Sequence, residues 1–234
     1  MELFICPAMH GYRPIGPDGT IPSNRLRNFE HSFISMTFFT YAAFSILLDK
    51  ISPKATYCLS QFVAAVAFAQ QLLLFHFHSA DHMRLEGHYH LLLQSAIVVS
   101  LTTTLLAFGF PNSFIVSFMR SVSVLYQGVW LVLMGYVMWT PSLVPRGCFL
   151  QFEDGHQIVS CSSDEVLHRA KSLVNILFSS TLIVVTIFTM TLYVVLDRLY
   201  GQKVEYSKLR KEEEESDDFE SPKESALCSY GIER

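Results

Sequence analysis

Charged side chains are distributed along this chain so that long stretches carry none, and nothing constrains its fold more. Residues 31–48 are free of Asp, Glu, Lys and Arg and are closed by Asp49 and Lys50. A second such run covers residues 55–80 and stops at Asp81. A third begins at Gly87 and meets no formal charge until Arg120, which is too long for one membrane crossing. Phe110-Pro111-Asn112 supplies the break, because proline lacks an amide donor and disfavours helix in the residue before it. The third span is therefore expected near residues 88–108 and the fourth near 113–138. The fifth run, residues 172–196, is ended by Asp197 and Arg198. Each run supplies the roughly 20 apolar residues that cross about 30 Å of hydrocarbon.

Composition agrees. Half of the 234 residues are hydrophobic and 16% are charged, where a soluble domain carries about a quarter. The predicted fold class is all-α: a polytopic transmembrane helical bundle of about five spans, occupying residues 31–198. Residues 1–30 form an extramembrane arm rich in Pro and Gly. Residues 199–234 form a disordered, acidic, cytosolic tail, whose Glu run at 212–215 cannot build a core. Tyr57, Tyr89, Trp139, Tyr193 and Tyr200 fall near span ends, as an interfacial aromatic belt requires, while Trp130 lies deeper. A formal net charge of −4 argues against nucleic acid, whose phosphates need clustered Lys and Arg. The partners expected are membrane lipids.

An odd number of spans puts the two ends of the bundle on opposite faces. Lys50, Lys54, Arg198, Lys203, Lys208, Arg210 and Lys211 collect on the C-terminal face; Arg25, Arg27, Arg84, Arg146, Arg169 and Lys171 collect on the other. The positive-inside rule is nearly tied. Cys148 and Cys161, between the fourth and fifth spans, break the tie weakly. As a disulfide they belong to an oxidising lumen; the alternative is two free thiols. That loop and the N-terminal arm are accordingly expected outside the cytosol.

Either orientation leads to a sharper expectation. His31 opens the first span, His76 and His78 end the second, His82 lies in the connection, and His88 and His90 open the third. His10, His156 and His168 belong to the same face, so all nine histidines share one side. In one continuous helix His78, His82, Glu86 and His90 would be four apart on one face. The chain more naturally turns between Ser79 and Gly87, which sets His76 opposite His90. His31, His76, His78, Glu86, His88 and His90 are thus candidate metal ligands. Imidazoles plus a carboxylate suit zinc with a coordinated water, two facing imidazoles suit haem, and the same groups without metal suit a proton relay. Against these stands interface anchoring and helix-to-helix hydrogen bonding.

Other polar positions read more simply. Arg120, about two turns into the fourth span, is expected to snorkel to the C-terminal face. Gln70, Gln71 and Gln127 are expected to bond between helices, and residues 102–104, all Thr, to bond back to their own helix. Tyr206 and Leu209 sit in a Tyr-x-x-hydrophobic tetrapeptide, a form that cytosolic sorting adaptors read.

Several of these stretches resemble the transmembrane protein 45 family, particularly its plant branch. They are Phe29-Glu30-His31-Ser32, the Leu-Phe-His-Phe-His-Ser segment, Leu85-Glu86-Gly87-His88-Tyr89-His90-Leu91-Leu92-Leu93, Gln127-Gly128-Val129-Trp130 and Pro145-Arg146-Gly147-Cys148. The family's His-x-His, then acid-x-His-x-His pattern falls on His76, His78, Glu86, His88 and His90. The resemblance runs roughly from Glu2 to Tyr200. It implies a multi-pass membrane protein without an established biochemical activity; the expected setting is the endomembrane system or plasma membrane. Members usually carry about two more spans upstream, so the chain reads as an N-terminally shortened form. Three roles compete: a regulatory, trafficking or interaction protein; a metal-dependent intramembrane enzyme resembling a lipid hydrolase; and a proton-coupled transporter. No nucleophile motif accompanies the histidines, and no acidic residue or repeat pair marks a transport path.

Overall fold

The computed structural model describes residues 15, 19–21, 23–80, 84–153 and 156–217. Among the described residues there are five α-helices, α1 (Ser23–Ile51), α2 (Pro53–Ala80), α3 (Leu85–Gly109), α4 (Phe114–Trp139) and α5 (Asp164–Asp217). All five are long and apolar enough to cross a membrane, over Asn28–Ile51, Ala55–Phe77, Leu85–Gly109, Phe114–Trp139 and Asp164–Tyr200.

Local chemistry sets the helix ends. A single residue, Ser52, separates α1 from α2; its carbonyl accepts from Ala55 N at 3.0 Å and Thr56 N at 3.1 Å, with Pro53 at the start where no amide is needed. The break at Pro111 lies where the sequence places it. Phe110 N closes α3 on Leu106 O at 2.9 Å, and the Ser113 side chain accepts from Val116 N at 3.5 Å to cap α4.

The helices outrun the uncharged stretches. Helix α1 starts at Ser23, inside the segment assigned to the N-terminal arm, and α5 runs through Asp217, inside the segment assigned to a disordered tail. A charge ends a membrane span but does not end a helix. Between Gly201 and Pro222 no Pro or Gly interrupts the chain, and Lys208 with Glu212 and Lys211 with Glu215 stand at the i, i+4 spacing that supports one.

The loop between α4 and α5 contains a β-hairpin. Strand β1 (Cys148–Glu153) pairs antiparallel with β2 (His156–Cys161), with Cys148 opposite Cys161 and Glu153 opposite His156. Cys148 and Cys161 are joined as a disulfide. Gly147 leads into β1 at φ +88°, and a Cβ there would meet Val166 Cγ1 at 2.8 Å, so both backbone and space favour glycine. Strand β2 packs against α3, with Ile158 and Val159 buried.

Helices α1 to α4 pack as sequence neighbours, α1 on α2, α2 on α3 and α3 on α4. Helix α3 is the most enclosed, burying Leu85, Tyr89, Leu93, Ile97, Ser100 and Thr104 along one side. Its contact with α4 is polar at mid-depth. Ser100 Oγ lies 2.7 Å from Ser123 Oγ and accepts from Gln127 Nε2 at 2.6 Å, and Thr104 Oγ1 donates to Ser100 O at 2.7 Å. Thr103 likewise bonds back to its own helix. On the other flank Thr37 of α1 donates to Gln70 of α2. Gln71 is the exception to the expected interhelical bonds: its Oε1 is buried and has no hydrogen-bond partner among the described residues. In the compact unit beginning at Leu182, α5 continues as helix, and Thr189 Oγ1 donates to Val185 O at 2.9 Å.

Removing the Gln127 amide should cost what interhelical hydrogen bonds in membranes cost. Gln127→Leu is expected to lower stability in detergent by about 1 kcal/mol, measured by unfolding, while Thr102→Val, at an exposed position, should stay within about 0.5 kcal/mol of the parent.

Candidate functional site

The end of the bundle that holds the start of α1, the end of α2 and the start of α3 carries the histidines. Helix α2 stops at Ala80 and α3 opens at Leu85, so the chain does turn there, and His78, His82, Glu86 and His90 do not form one helical face. His82 and His10 lie outside the described residues. His78 belongs to α2 and His156 to β2, with side chains outside the described ones.

His90 is the most enclosed of the described histidines, 3% exposed. Its ring meets the edge of Phe75 from α2, centroids 5.1 Å apart, and lies 6.3 Å from His31 of α1. His31 also approaches Phe75, at 6.1 Å. The three rings form a triangle, so three helices meet where two neighbouring imidazoles pack against one buried phenylalanine.

His76 does not face His90 as the sequence suggested. Helix α2 turns Phe75 toward His90 and sends His76 to Gln94 instead, with Nδ1 3.4 Å from Gln94 Oε1. An amide oxygen only accepts, so the imidazole nitrogen donates. Gln94 is itself oriented by the bond from its Nε2 to Phe75 O at 3.1 Å. One glutamine on α3 thus holds both the backbone and a side chain of α2. A second imidazole works across the next interface: His88 Nε2 donates to Asn175 Oδ1 of α5 at 2.8 Å. Glu86, half-buried in the first turn of α3, lies where the helix dipole favours a carboxylate. His168, in the opening turns of α5, is exposed.

An aromatic cluster that the sequence did not point to stands beside these groups. Trp130 of α4 is fully buried and donates Nε1–H to Tyr89 O at 3.2 Å. Its ring packs on Tyr89 at 5.5 Å and edge-on to Phe178 of α5 at 4.9 Å. Tyr126 donates to Phe178 O at 2.9 Å and meets the same ring at 5.1 Å. The spacing of Tyr126 and Trp130, four apart on one helical face, was the available signal.

Of the candidate ligands, the structure brings His31 and His90 together around Phe75 and directs His76 and His88 to amide partners on other helices. Among the described residues, no group of three or more His, Cys, Asp or Glu side chains is placed to hold one metal ion. Tyr206 and Leu209 fall in the helical part of α5, three residues apart and so on neighbouring positions of one face; their side chains are outside the described ones.

At the opposite end, Arg120 corrects a second expectation. Instead of turning away to the surface alone, it donates Nη1–H to Gln61 Oε1 of α2, a residue 8% exposed. Burying an unbonded amide in hydrocarbon is costly, and the guanidinium is the donor within reach. Tyr57 ties α2 to the end of α3 close by, its hydroxyl 3.4 Å from both Ala107 O and Pro111 O.

Compared with known families, residues 57–194 match the model described as Family of unknown function (DUF716), more than half of the chain. The searches of curated proteins and of solved structures returned no match.

If His90 is a packing element among three helices, His90→Ala should lower stability by about 2 kcal/mol, as buried truncations do. The exposed His168→Ala should change it by less than about 0.5 kcal/mol. Thermal unfolding of the two purified variants makes the comparison.

Proposed function

We propose for this chain, which belongs to the DUF716 family of unknown function, a non-catalytic regulatory, trafficking or interaction role in a cellular membrane. Within that family its motifs support the transmembrane protein 45 branch and its plant side. One observation carries the proposal. Each described histidine of α1 to α3 meets a side chain on a different helix: His76 meets Gln94, His88 meets Asn175, and His31 and His90 both meet Phe75. Groups spent on joining helices build a scaffold whose output is its surface. The partners fitting such a scaffold are membrane lipids and, at Tyr206 and Leu209, cytosolic sorting adaptors. The endomembrane system or plasma membrane is the setting.

A metal-dependent enzyme is the second reading, favoured by the 6.3 Å approach of His31 to His90. Zinc there needs further ligands, and His78, whose side chain lies outside the described ones, is the candidate that remains, since Glu86 and His88 are not grouped with His31 and His90. A proton-coupled transporter would use the same imidazoles without metal.

One experiment on the full chain separates these roles. Protein purified at neutral pH should hold substoichiometric zinc, and Tyr206→Ala should shift it from endosomal membranes toward the cell surface. One zinc per chain, lost in His78→Ala and in His90→Ala and released by acid, would replace the proposal with the enzyme. An unchanged distribution of Tyr206→Ala would remove sorting from it.

A further inference from the structure

Arg120 lies six residues into α4, about 9 Å from its start at 1.5 Å per residue, and is half-buried. A guanidinium has five N–H donors in a planar fork. The described residues give it one hydrogen bond, to Gln61 Oε1, and no ion pair. An arginine at this depth in a membrane is costly unless its charge is met. The remaining donors therefore look for an anion, and the nearest source is the lipid layer at the end of α4.

The surroundings fit a lipid better than a soluble ion. Phe62, next to Gln61 on α2, is 58% exposed, and Val124, one turn beyond Arg120 on α4, is 45% exposed. Those side chains can take acyl chains while the fork takes a phosphate in bidentate fashion. Lys50, exposed at the end of α1, belongs to the same face of the bundle. In the orientation expected from the cysteines this face is cytosolic, where anionic phospholipids concentrate.

We propose that Arg120, held in place by Gln61, is a binding site for the phosphate of an anionic phospholipid between α2 and α4. Gln61 is the positioning residue: its buried oxygen fixes one N–H of the fork and leaves the opposite edge for the phosphate. The site is independent of the histidine end and of the role proposed for it.

The test uses the full chain in nanodiscs of phosphatidylcholine with and without phosphatidylserine, read by thermal unfolding and by lipid retained in native mass spectrometry. Phosphatidylserine should raise the unfolding midpoint of the parent and leave that of Arg120→Gln unchanged, with retained phosphatidylserine about tenfold lower in the variant, the order expected for losing a charge-assisted hydrogen bond. Arg120→Lys, which keeps the charge and loses the fork, should fall between them, and it serves where Arg120→Gln does not fold. Lys50→Gln should respond as the parent does. A purely structural Arg120–Gln61 bond predicts the same phosphatidylserine response in parent and variants, and that result would overturn the proposal. So would an equal loss in Lys50→Gln, which would mean diffuse surface charge. Stabilisation by inorganic phosphate equal to that by phosphatidylserine would overturn the lipid as the source.

Discussion

Hydrocarbon offers no partner to a backbone amide or carbonyl, so each crossing segment must close its own hydrogen bonds, and side chains alone join one crossing to the next. Everything that distinguishes this bundle follows from how those few side chains are placed. At mid-depth Ser100 gathers Ser123 and Gln127 from α4. Toward one end Gln94 holds α2 through both His76 and the Phe75 carbonyl. Toward the other, Arg120 and Tyr57 tie α4 and the end of α3 to α2. Helix α3 sits at the middle of this arrangement and is accordingly the most buried, while no residue of the apolar window of α1 is buried.

The spans were legible because charge is expensive in lipid: Asp49, Asp81 and Asp197 close uncharged runs close to where hydrocarbon must end. The break between α3 and α4 was legible because Pro111 cannot donate and Ser113 can cap. The helical extensions at Ser23 and Asp217 were not, since charge patterning reports the solvent and not the backbone. The hairpin is marked in the sequence as well: Asp154-Gly155, a common two-residue turn sequence, separates a segment with two Phe from one with Ile and Val.

The candidate site was legible to the level of a face and no further. Alternating crossings set which end of the bundle each histidine occupies. The rotation of each helix about its own axis decides its partner, and a helix such as α3, which buries His90, Gln94, Ser100 and Thr104 together with its apolar residues, leaves that rotation unmarked in its pattern. Hence Phe75, rather than His76, meets His90, and the partners of His76 and His88 are the amides of Gln94 and Asn175. Both amides occupy positions that periodicity treats as ordinary. The same limit applied to Arg120, whose depth was readable and whose partner Gln61 was not.

Two chemically different ends result. One carries imidazoles, a disulfide-closed hairpin and a tryptophan-centred aromatic cluster; the other carries a guanidinium, the short Ser52 turn and the Ser113 cap. Five helices are long and apolar enough to cross, and the sequence expectation is that the hairpin between the fourth and fifth lies away from the cytosol. Glycosylation mapping tests it most directly, using acceptor sites engineered at residue 155 and near residue 215 in the full chain. The account predicts modification at 155 and none near 215; modification near 215 alone would invert the orientation, and modification at both would contradict the five-span topology itself.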